Sequence, residues 1–357
     1  MINQIATKEA ATSVTRREKP VVRLEPEGGC AVIVLDNPPV NVSSAALRAQ
    51  LFCVVRDFAA NDAFTAAVLI GAGKTFVSGA DLKEFGGPML PPEMPQLLAA
   101  ITDCPKPIVA ALHGTAMGGG FELALACDAR IGVPDLAVAL PEVKLGIIPG
   151  AGGTQRVPRL IGVSKAIEFI TSGRRMSAQE ALGLGLIDEI AKADLRSEAV
   201  AHALLLSGKR DLAHLPVPAE NEAAVAAAAN NALKKAKGRP YIARAVEAVR
   251  WAVETPLGEG MGRERAAFHA LRTAEEAFAL RHLFFAEREA ARVQALEGVP
   301  ARPLAKVAVV GAGTMGSGIA TALIEAGLHT VLIETQPDAL QRAQARLADL
   351  QARAVSE

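Results

Sequence analysis

Short apolar runs that end at glycine alternate with helix-length stretches through the first 200 residues, and this alternation is the strongest constraint on what the chain can fold into. VVRLEPEGGCAVIVLD, residues 21–36, contains two apolar runs around a turn at 27–29 and predicts a hairpin. A helical pattern follows from Ser44 to about Phe58, and AAVLIGAG then reads as a buried strand entering a glycine turn. Beyond a loop at residues 79–95, IVAALHG predicts another buried strand, GGG a turn and FELALACDAR a short helix, with ARIGV and LAVALPE as further strands. The expectation is an α/β domain over residues 18–200.

The character changes near residue 200. Residues 221–237, 241–255 and 262–293 carry helical patterns, the first rich in Ala and the others in Arg and Glu, with Gly258, Gly260 and Gly262 separating the last two. A helical region over 201–300 is expected, with a long final helix packed on the first domain and a linker near 298–303. A third character begins at Lys306: KVAVV as a strand, GAGTMG as a glycine turn, SGIATALIEAG as a helix, HTVLIE as a second strand, and a helix from Pro337.

Lys plus Arg equals Asp plus Glu at 38 each, so no bulk field argues for nucleic acid or an anionic membrane. No apolar stretch reaches the 18 or so residues that a membrane helix needs. Cys30, Cys53, Cys104 and Cys127 are scattered without metal-ligand spacing, so no metal site is expected. MINQIATKEAATSVTRR at the N-terminus has no long apolar stretch and does not read as a secretory signal. Together these features predict reduced thiols and a cytoplasmic location.

Glu122 is the first chemically pointed residue. Leu123, Ala124, Leu125, Ala126 and Cys127 follow it, so its helix is expected to be buried all round, and a carboxylate there is costly unless something satisfies it. A purely structural cap at the helix N-terminus is one explanation. Glu142, after Pro141 at the end of LAVAL, offers another: two carboxylates converging on one cavity can divide acid and base work. Spacing alone does not establish that they converge. Gly118, Gly119 and Gly120 leave amide N–H groups uncovered that can stabilise a developing oxyanion, or they form a tight turn and nothing more.

Taken together, SGADLKEF (78–85), HGTAMGGGFELALACD (113–128) and PEVKLGIIPGAGGTQR (141–156) resemble the crotonase superfamily. The likeness is strongest to the enoyl-CoA hydratase/isomerase domain at the N-terminus of multifunctional fatty acid oxidation proteins. It covers residues 20–300, including WAVETPLGEGMGRERAAF and ALRHLFFAERE. It implies a crotonase-like ββα spiral core with added C-terminal helices, followed by an incomplete Rossmann βαβ unit over 304–357. By the same resemblance, the N–H groups of Ala80 and Gly119 match the oxyanion hole, Glu122 the carboxylate that activates water, and Glu142 the one that delivers a proton to the α-carbon. The implied reaction is hydration of a trans-2-enoyl-CoA thioester in fatty acid β-oxidation, without a cofactor, together with 3-enoyl-CoA isomerisation. A dedicated isomerase and a non-catalytic acyl-CoA-binding domain are the alternatives. The implied assembly is a monomer, or a complex with a thiolase for the full-length protein.

Gly150, Gly152 and Gly153 line the site at a helix start or form a plain turn. Lys83 reaches toward a CoA phosphate or is simply a surface lysine, and Met89 and Met94 face the acyl chain. His113 has no triad partner by spacing and reads as structural.

Near the C-terminus, Gly311, Gly313 and Gly316 form GxGxxG between a strand and a helix, with Glu334 ending the next strand. That context fits a dinucleotide fold, and the acid favours NAD over NADP. KVAVVGAGTMGSGIA resembles the start of 3-hydroxyacyl-CoA dehydrogenase, so NAD is implied for a full-length parent. The catalytic His and Glu of that family have no counterpart within these 357 residues, and two strands do not complete a nucleotide-binding sheet. The expectation for this chain is no dehydrogenase activity and weak or absent NAD binding.

Overall fold

Gly28 and Gly29 turn the chain between β1 (Val22–Glu27) and β2 (Cys30–Leu35), which pair antiparallel with Glu27 opposite Cys30. Every side chain of β2 is buried, as expected of an interior strand, while β1 on the sheet edge is half exposed. The computed structural model describes residues 20–290, 293, 296, 298–300 and 302–356, so the N-terminal segment read above as lacking a signal lies outside the described residues. The chain divides into two compact units, residues 1–289 and 290–357.

In the larger unit Ser44 caps α1 (Ala45–Ala60) by accepting from the Leu47 N–H at 3.3 Å. Leu47, Leu51, Val55 and Phe58 recur at three- and four-residue steps and are buried, so the helix lays one apolar face on the sheet. Then come β3 (Ala66–Gly71), α2 (Met94–Thr102), β4 (Ile108–Leu112), β5 (Thr115–Met117), α3 (Gly119–Leu125), β6 (Ala129–Gly132) and β7 (Ala137–Ala139). They are followed by α4 (Gly153–Ile161), α5 (Val163–Ser172), β8 (Met176–Ser177), α6 (Ala178–Gly183), β9 (Glu189–Ile190) and α7 (Leu195–Leu205).

Six strands form one sheet in the order β1-β2-β3-β4-β6-β9, parallel beyond the hairpin, and β5-β7-β8 form a second, short sheet. Successive turns of the chain thus place β4 in the long sheet and β5 in the short one, then β6 and β7 likewise, in the manner of a ββα spiral. Alternate residues of β2 feed two apolar clusters: Ala31, Ile33 and Leu35 join the main core, while Cys30, Val32 and Val34 meet Ala199 and Ala203 of α7.

The helical region adds α8 (Glu222–Ala236), α9 (Pro240–Glu254), α10 (Leu257–Arg272) and α11 (Glu275–Ala290). The Ala-rich stretch buries Ala228, Ala229, Ala232 and Ala236, a small-residue face that packs on α5. Two expectations are corrected. Gly258, Gly260 and Gly262 separate nothing, because all three lie inside α10, where a Cβ on Gly260 would stand 2.5 Å from Gln155 Oε1. The single long final helix is instead two, broken after Arg272, which reaches across to the carbonyls of Phe85 and Gly87.

In the smaller unit β10 (Lys306–Val310), α12 (Thr314–Glu325), β11 (His329–Ile333) and α13 (Pro337–Ser356) follow in order, with β10 and β11 parallel. Among the described residues, no helix is long and apolar enough to cross a membrane.

Arg130 of β6 is fully buried. Its guanidinium donates to the carbonyls of Leu186 (3.1 Å) and Cys127 (3.0 Å) and pairs with Asp188, which also accepts from the Arg130 N–H at 2.8 Å. Removing one partner of a buried pair strands the other charge. Asp188→Ala is therefore expected to lower unfolding free energy by about 3–5 kcal/mol in urea titrations; a loss under about 1 kcal/mol, the range of an exposed pair, would show that Asp188 does not compensate the arginine.

Candidate active site

A cavity of about 330 Å³ opens in the larger unit and is lined by Ala80, Gly119, Glu122 and Glu142 together. The backbone after β3 brings them there. Val77 bridges Ala116 and Ser43 bridges Ala80, with Met117 N–H donating to the Val77 carbonyl at 3.1 Å and Ser43 N–H to that of Gly79 at 2.8 Å. This lays residues 77–80 alongside the start of α3. Ala80 and Gly119 line the cavity, and the amide of neither donates to an acceptor among the described residues. Gly119 opens α3, where an N–H has no partner within the helix.

Glu122 follows one turn into α3, among buried Phe121, Leu123, Ala124 and Leu125. Its Oε1 accepts from the N–H groups of Ala151 and Gly153, both at 2.8 Å. Its pKa is raised, because burial outweighs the lowering by these two bonds and by the nearby Arg156 and Arg265.

Glu142 enters the same cavity from the single-turn helix Glu142–Leu145 that follows β7. Its Oε2 is buried with no hydrogen-bond partner. Burial first, then the charges of Glu122 and Glu264, raise its pKa well above the ordinary 4.5. Gly118 and Gly153 make room for the two acids: a Cβ on Gly118 would sit 2.9 Å from Glu142 Oε1, and one on Gly153 2.9 Å from Glu122 Oε1.

A third buried carboxylate went unnoticed in the sequence. Glu264 of α10 accepts from the N–H of Gly152, the N–H of Thr154 at 2.8 Å and the Thr154 hydroxyl. Burial and the charge of Glu122 push its pKa up to about 8. Its neighbours in sequence, Arg263 and Arg265, give RERAAF the look of a solvated helix face, which hid it. The expectation for residues 150–153 divides accordingly: Gly150 lines the cavity, whereas Gly152 and Gly153 lie off its wall and spend their amides on Glu264 and Glu122.

Met89 and Met94 line the cavity with Phe85 and Phe268. Lys83 does not: its side chain is exposed, and its N–H donates to the capping carboxylate of Asp81 at 3.1 Å. The cations that do line the cavity are Arg48, Lys144, Arg175, Arg265 and Arg288, none of which the sequence singled out. Arg48 is buried and ties down the loop carrying Met89, donating to the carbonyls of Ser43 (2.8 Å), Leu90 (3.1 Å) and Pro92 (3.0 Å). His113 lies outside this cavity, and its Nδ1 is buried without a partner. Among the described residues, no group of three His, Cys, Asp or Glu side chains could hold a metal ion.

In the smaller unit the glycine motif has the shape a dinucleotide requires. A Cβ on Gly316 would lie 1.8 Å from the Gly311 carbonyl oxygen, while Gly313 faces open space at the start of α12. Glu334 directly follows β11 and accepts from the Ala312 N–H at 2.8 Å, which holds its carboxylate beside that turn.

Residues 25–237 match the family model for enoyl-CoA hydratase/isomerase, and residues 306–357 that for the NAD-binding domain of 3-hydroxyacyl-CoA dehydrogenase. The chain is similar to the peroxisomal bifunctional enzyme of Danio rerio, 40% identical over 322 residues, covering 87% of this chain and 45% of that protein. It is also similar to the glyoxysomal fatty acid beta-oxidation multifunctional protein MFP-a of Cucumis sativus, 37% identical over 346 residues, covering 91% of this chain and 48% of that one. The chain spans about half the length of these curated relatives. Among solved structures, an enoyl-CoA hydratase/isomerase from Pseudoalteromonas atlantica T6c matches with a TM-score of 0.57 at 23% identity, over 75% of this chain and 97% of that one, and supports the fold alone.

The cytoplasmic expectation is overturned by these relatives, whose names place them in peroxisomes or glyoxysomes. The free thiols and the N-terminal composition bore on the secretory route and did not separate the cytoplasm from other compartments. With well over half its length matched by that model and its core wound as the sequence resemblance implied, the chain belongs to the enoyl-CoA hydratase/isomerase family of the crotonase superfamily, and it continues into a 3-hydroxyacyl-CoA dehydrogenase NAD-binding segment.

Proposed function

We propose that the larger unit hydrates trans-2-enoyl-CoA thioesters to 3-hydroxyacyl-CoA, with Glu122 as the base that activates water and Glu142 as the acid that protonates the α-carbon. The observation that carries this reading is the unequal treatment of two carboxylates on one cavity. Glu122 is held by two amide N–H groups, which favour its charged form, whereas Glu142 has a buried oxygen with no partner and faces the Glu122 charge. Glu142 is thus the group that keeps a proton to give. The thioester oxygen is bound by the free amides of Ala80 and Gly119, which meet the charge that builds there as the enolate forms. The water oxygen bonds to the β-carbon, Glu122 takes a water proton, and Glu142 gives its own to the α-carbon. Transfer of a proton from Glu122 back to Glu142 completes the cycle.

The same Glu142 supports a second activity, moving a proton between the α- and γ-carbons of a 3-enoyl-CoA. For a longer protein containing this chain we propose NAD-dependent oxidation of the 3-hydroxyacyl product, begun in the smaller unit with Gly311, Gly313, Gly316 and Glu334 holding the dinucleotide. Assembly as a monomer or with a thiolase is likewise a proposal for that protein, and sedimentation with and without thiolase separates the two.

Glu122→Gln and Glu142→Gln should each lower kcat for crotonyl-CoA hydration by about 10²- to 10⁴-fold, followed as loss of the enoyl thioester absorbance. Near-wild-type turnover in both variants would sink the assignment, and tight acyl-CoA binding by a wild-type chain that never turns over would identify a binding domain instead.

The pH dependence of stability has a definite sign. A carboxyl whose pKa rises on folding contributes stability that is complete below its unfolded value of 4.5 and is lost as pH climbs through the folded value, because the folded state then binds the extra proton. As pH rises above 4.5 the wild type should therefore lose stability that Glu142→Gln keeps, read from urea midpoints. Parallel pH profiles for the two proteins would show that Glu142 does not titrate above its ordinary range in the fold.

A further inference from the structure

Four successive amides before and at the start of α4 are dealt alternately to two carboxylates. Ala151 N–H goes to Glu122, Gly152 to Glu264, Gly153 to Glu122 and Thr154 to Glu264. All four amides belong to one short backbone segment, so holding it at Gly152 and Thr154 constrains where the Ala151 and Gly153 N–H groups point. Glu264 supplies the grip. It is 1% exposed, comes from a helix more than 100 residues along the chain, and takes the Thr154 hydroxyl as a third donor. The Thr154 oxygen in turn accepts from Gln155 Nε2 at 3.0 Å, and the same Nε2 donates to the Ala248 carbonyl of α9 at 2.9 Å. Glu264 does not line the cavity, so it has no direct access to substrate.

We propose that Glu264 is a positioning residue for hydration: by holding Gly152 and Thr154 from behind, it aims the amides of Ala151 and Gly153 at Glu122 and thereby fixes the orientation of the base. This rests on the hydration reading above. The charged groups around Glu264 are consistent with such a role. Glu122 and Glu142 face it as like charges, and Arg156, buried on α4 with its Nη1 on the Ala151 carbonyl at 3.0 Å, is the nearby cation. Burial first, then the charge of Glu122, pushes the pKa of Glu264 up to about 8, so below that pH Glu264 holds its proton. Removing Glu264 then relieves no repulsion on Glu122. What is lost is the alignment of two N–H donors, and that makes Glu122 harder to ionise.

The test compares wild type, Glu264→Ala and Glu264→Gln by two readouts on the full chain: steady-state hydration of crotonyl-CoA, and the titration midpoint of the Glu122 carboxyl followed by NMR of carboxyl-¹³C glutamate, assigned with Glu122→Gln. Glu264→Ala should lower kcat by about 10- to 100-fold, the usual consequence of misplacing a reacting group by an ångström, and leave KM within about threefold. It should also move the Glu122 midpoint up by about one pH unit. Glu264→Gln keeps an uncharged acceptor for the Gly152 N–H and can donate to the Thr154 hydroxyl but leaves the Thr154 N–H without its acceptor, so both readouts should fall between those of wild type and Glu264→Ala. A folded Glu264→Ala with the wild-type midpoint overturns the proposal, as does lost activity that tracks the unfolded fraction alone. Should Glu264→Ala fail to fold, Thr154→Val removes only one donor to Glu264; it should move the midpoint in the same direction, and an unmoved midpoint is equally fatal. The NMR readout needs no turnover, so an inactive wild type would sink the hydration reading while the midpoint still decides the role of Glu264.

Discussion

The amides of residues 151–154 carry two buried carboxylates at once, and much of the larger unit is arranged to bring them there. Glu122 sits in a helix apolar on every side, a place that would ordinarily expel a charge. It stays because the start of α4 is aimed at it, with donors that the helix itself cannot use. Arg156, one turn into α4 and itself buried, adds a compensating positive charge close by. Glu142 receives no such help. Both carboxyls are raised by burial, but Glu122 is pulled back by its N–H donors and nearby arginines while Glu142 is pushed well above the ordinary value, and this inequality is what makes acid–base work by the pair physically reasonable.

Much of the spiral core was readable because its elements obey one period at a time. The β2, β3 and β4 runs are continuously apolar, as strands buried on both faces must be, and α1 shows a serine cap and an unbroken apolar stripe. The region from 150 to 190 was not readable. There α4 buries Thr154, Gln155 and Arg156 and contains Pro158, so neither its hydrophobic pattern nor its propensity announces a helix. Strands β8 and β9 are two residues each, too short to leave a periodic trace. Gly258, Gly260 and Gly262 misled because glycine lowers helix propensity; Gly260 permits the close approach of α10 to Gln155, while Gly258 and Gly262 face open space and are carried within the helix.

At the site itself, motifs exposed Glu122 and Glu142 because unusual neighbours surround each one. Glu264 is flanked by Arg263 and Arg265 on a charged helix, and only the fold turns that position inward. The cavity's cations were hidden in the same way. Arg48 looks like an ordinary helix residue until the chain places the carbonyls of Leu90 and Pro92 around its guanidinium.

The helical region does more than cover the core. The family match ends at residue 237, yet the cavity wall continues through Arg265, Phe268, Phe284 and Arg288 of α10 and α11. Phe268 packs edge-on against Phe85 at 6.1 Å between ring centroids, and Arg281 lies over the same Phe85 ring at 5.8 Å. Arg272 meanwhile holds the carbonyls of Phe85 and Gly87. The loop that carries Met89 is therefore clamped by Arg48 on one side and by these two helices on the other. Glu122 and Glu142 belong to the spiral, while Phe268 and Phe284 of these two helices add to the apolar wall of the same cavity. A change at Phe284 or Arg288 of α11 can thus alter what fits the cavity without touching the residues that hold Glu122 and Glu142, whereas α10 bears on both, through Phe268 at the cavity wall and Glu264 behind the segment that binds Glu122.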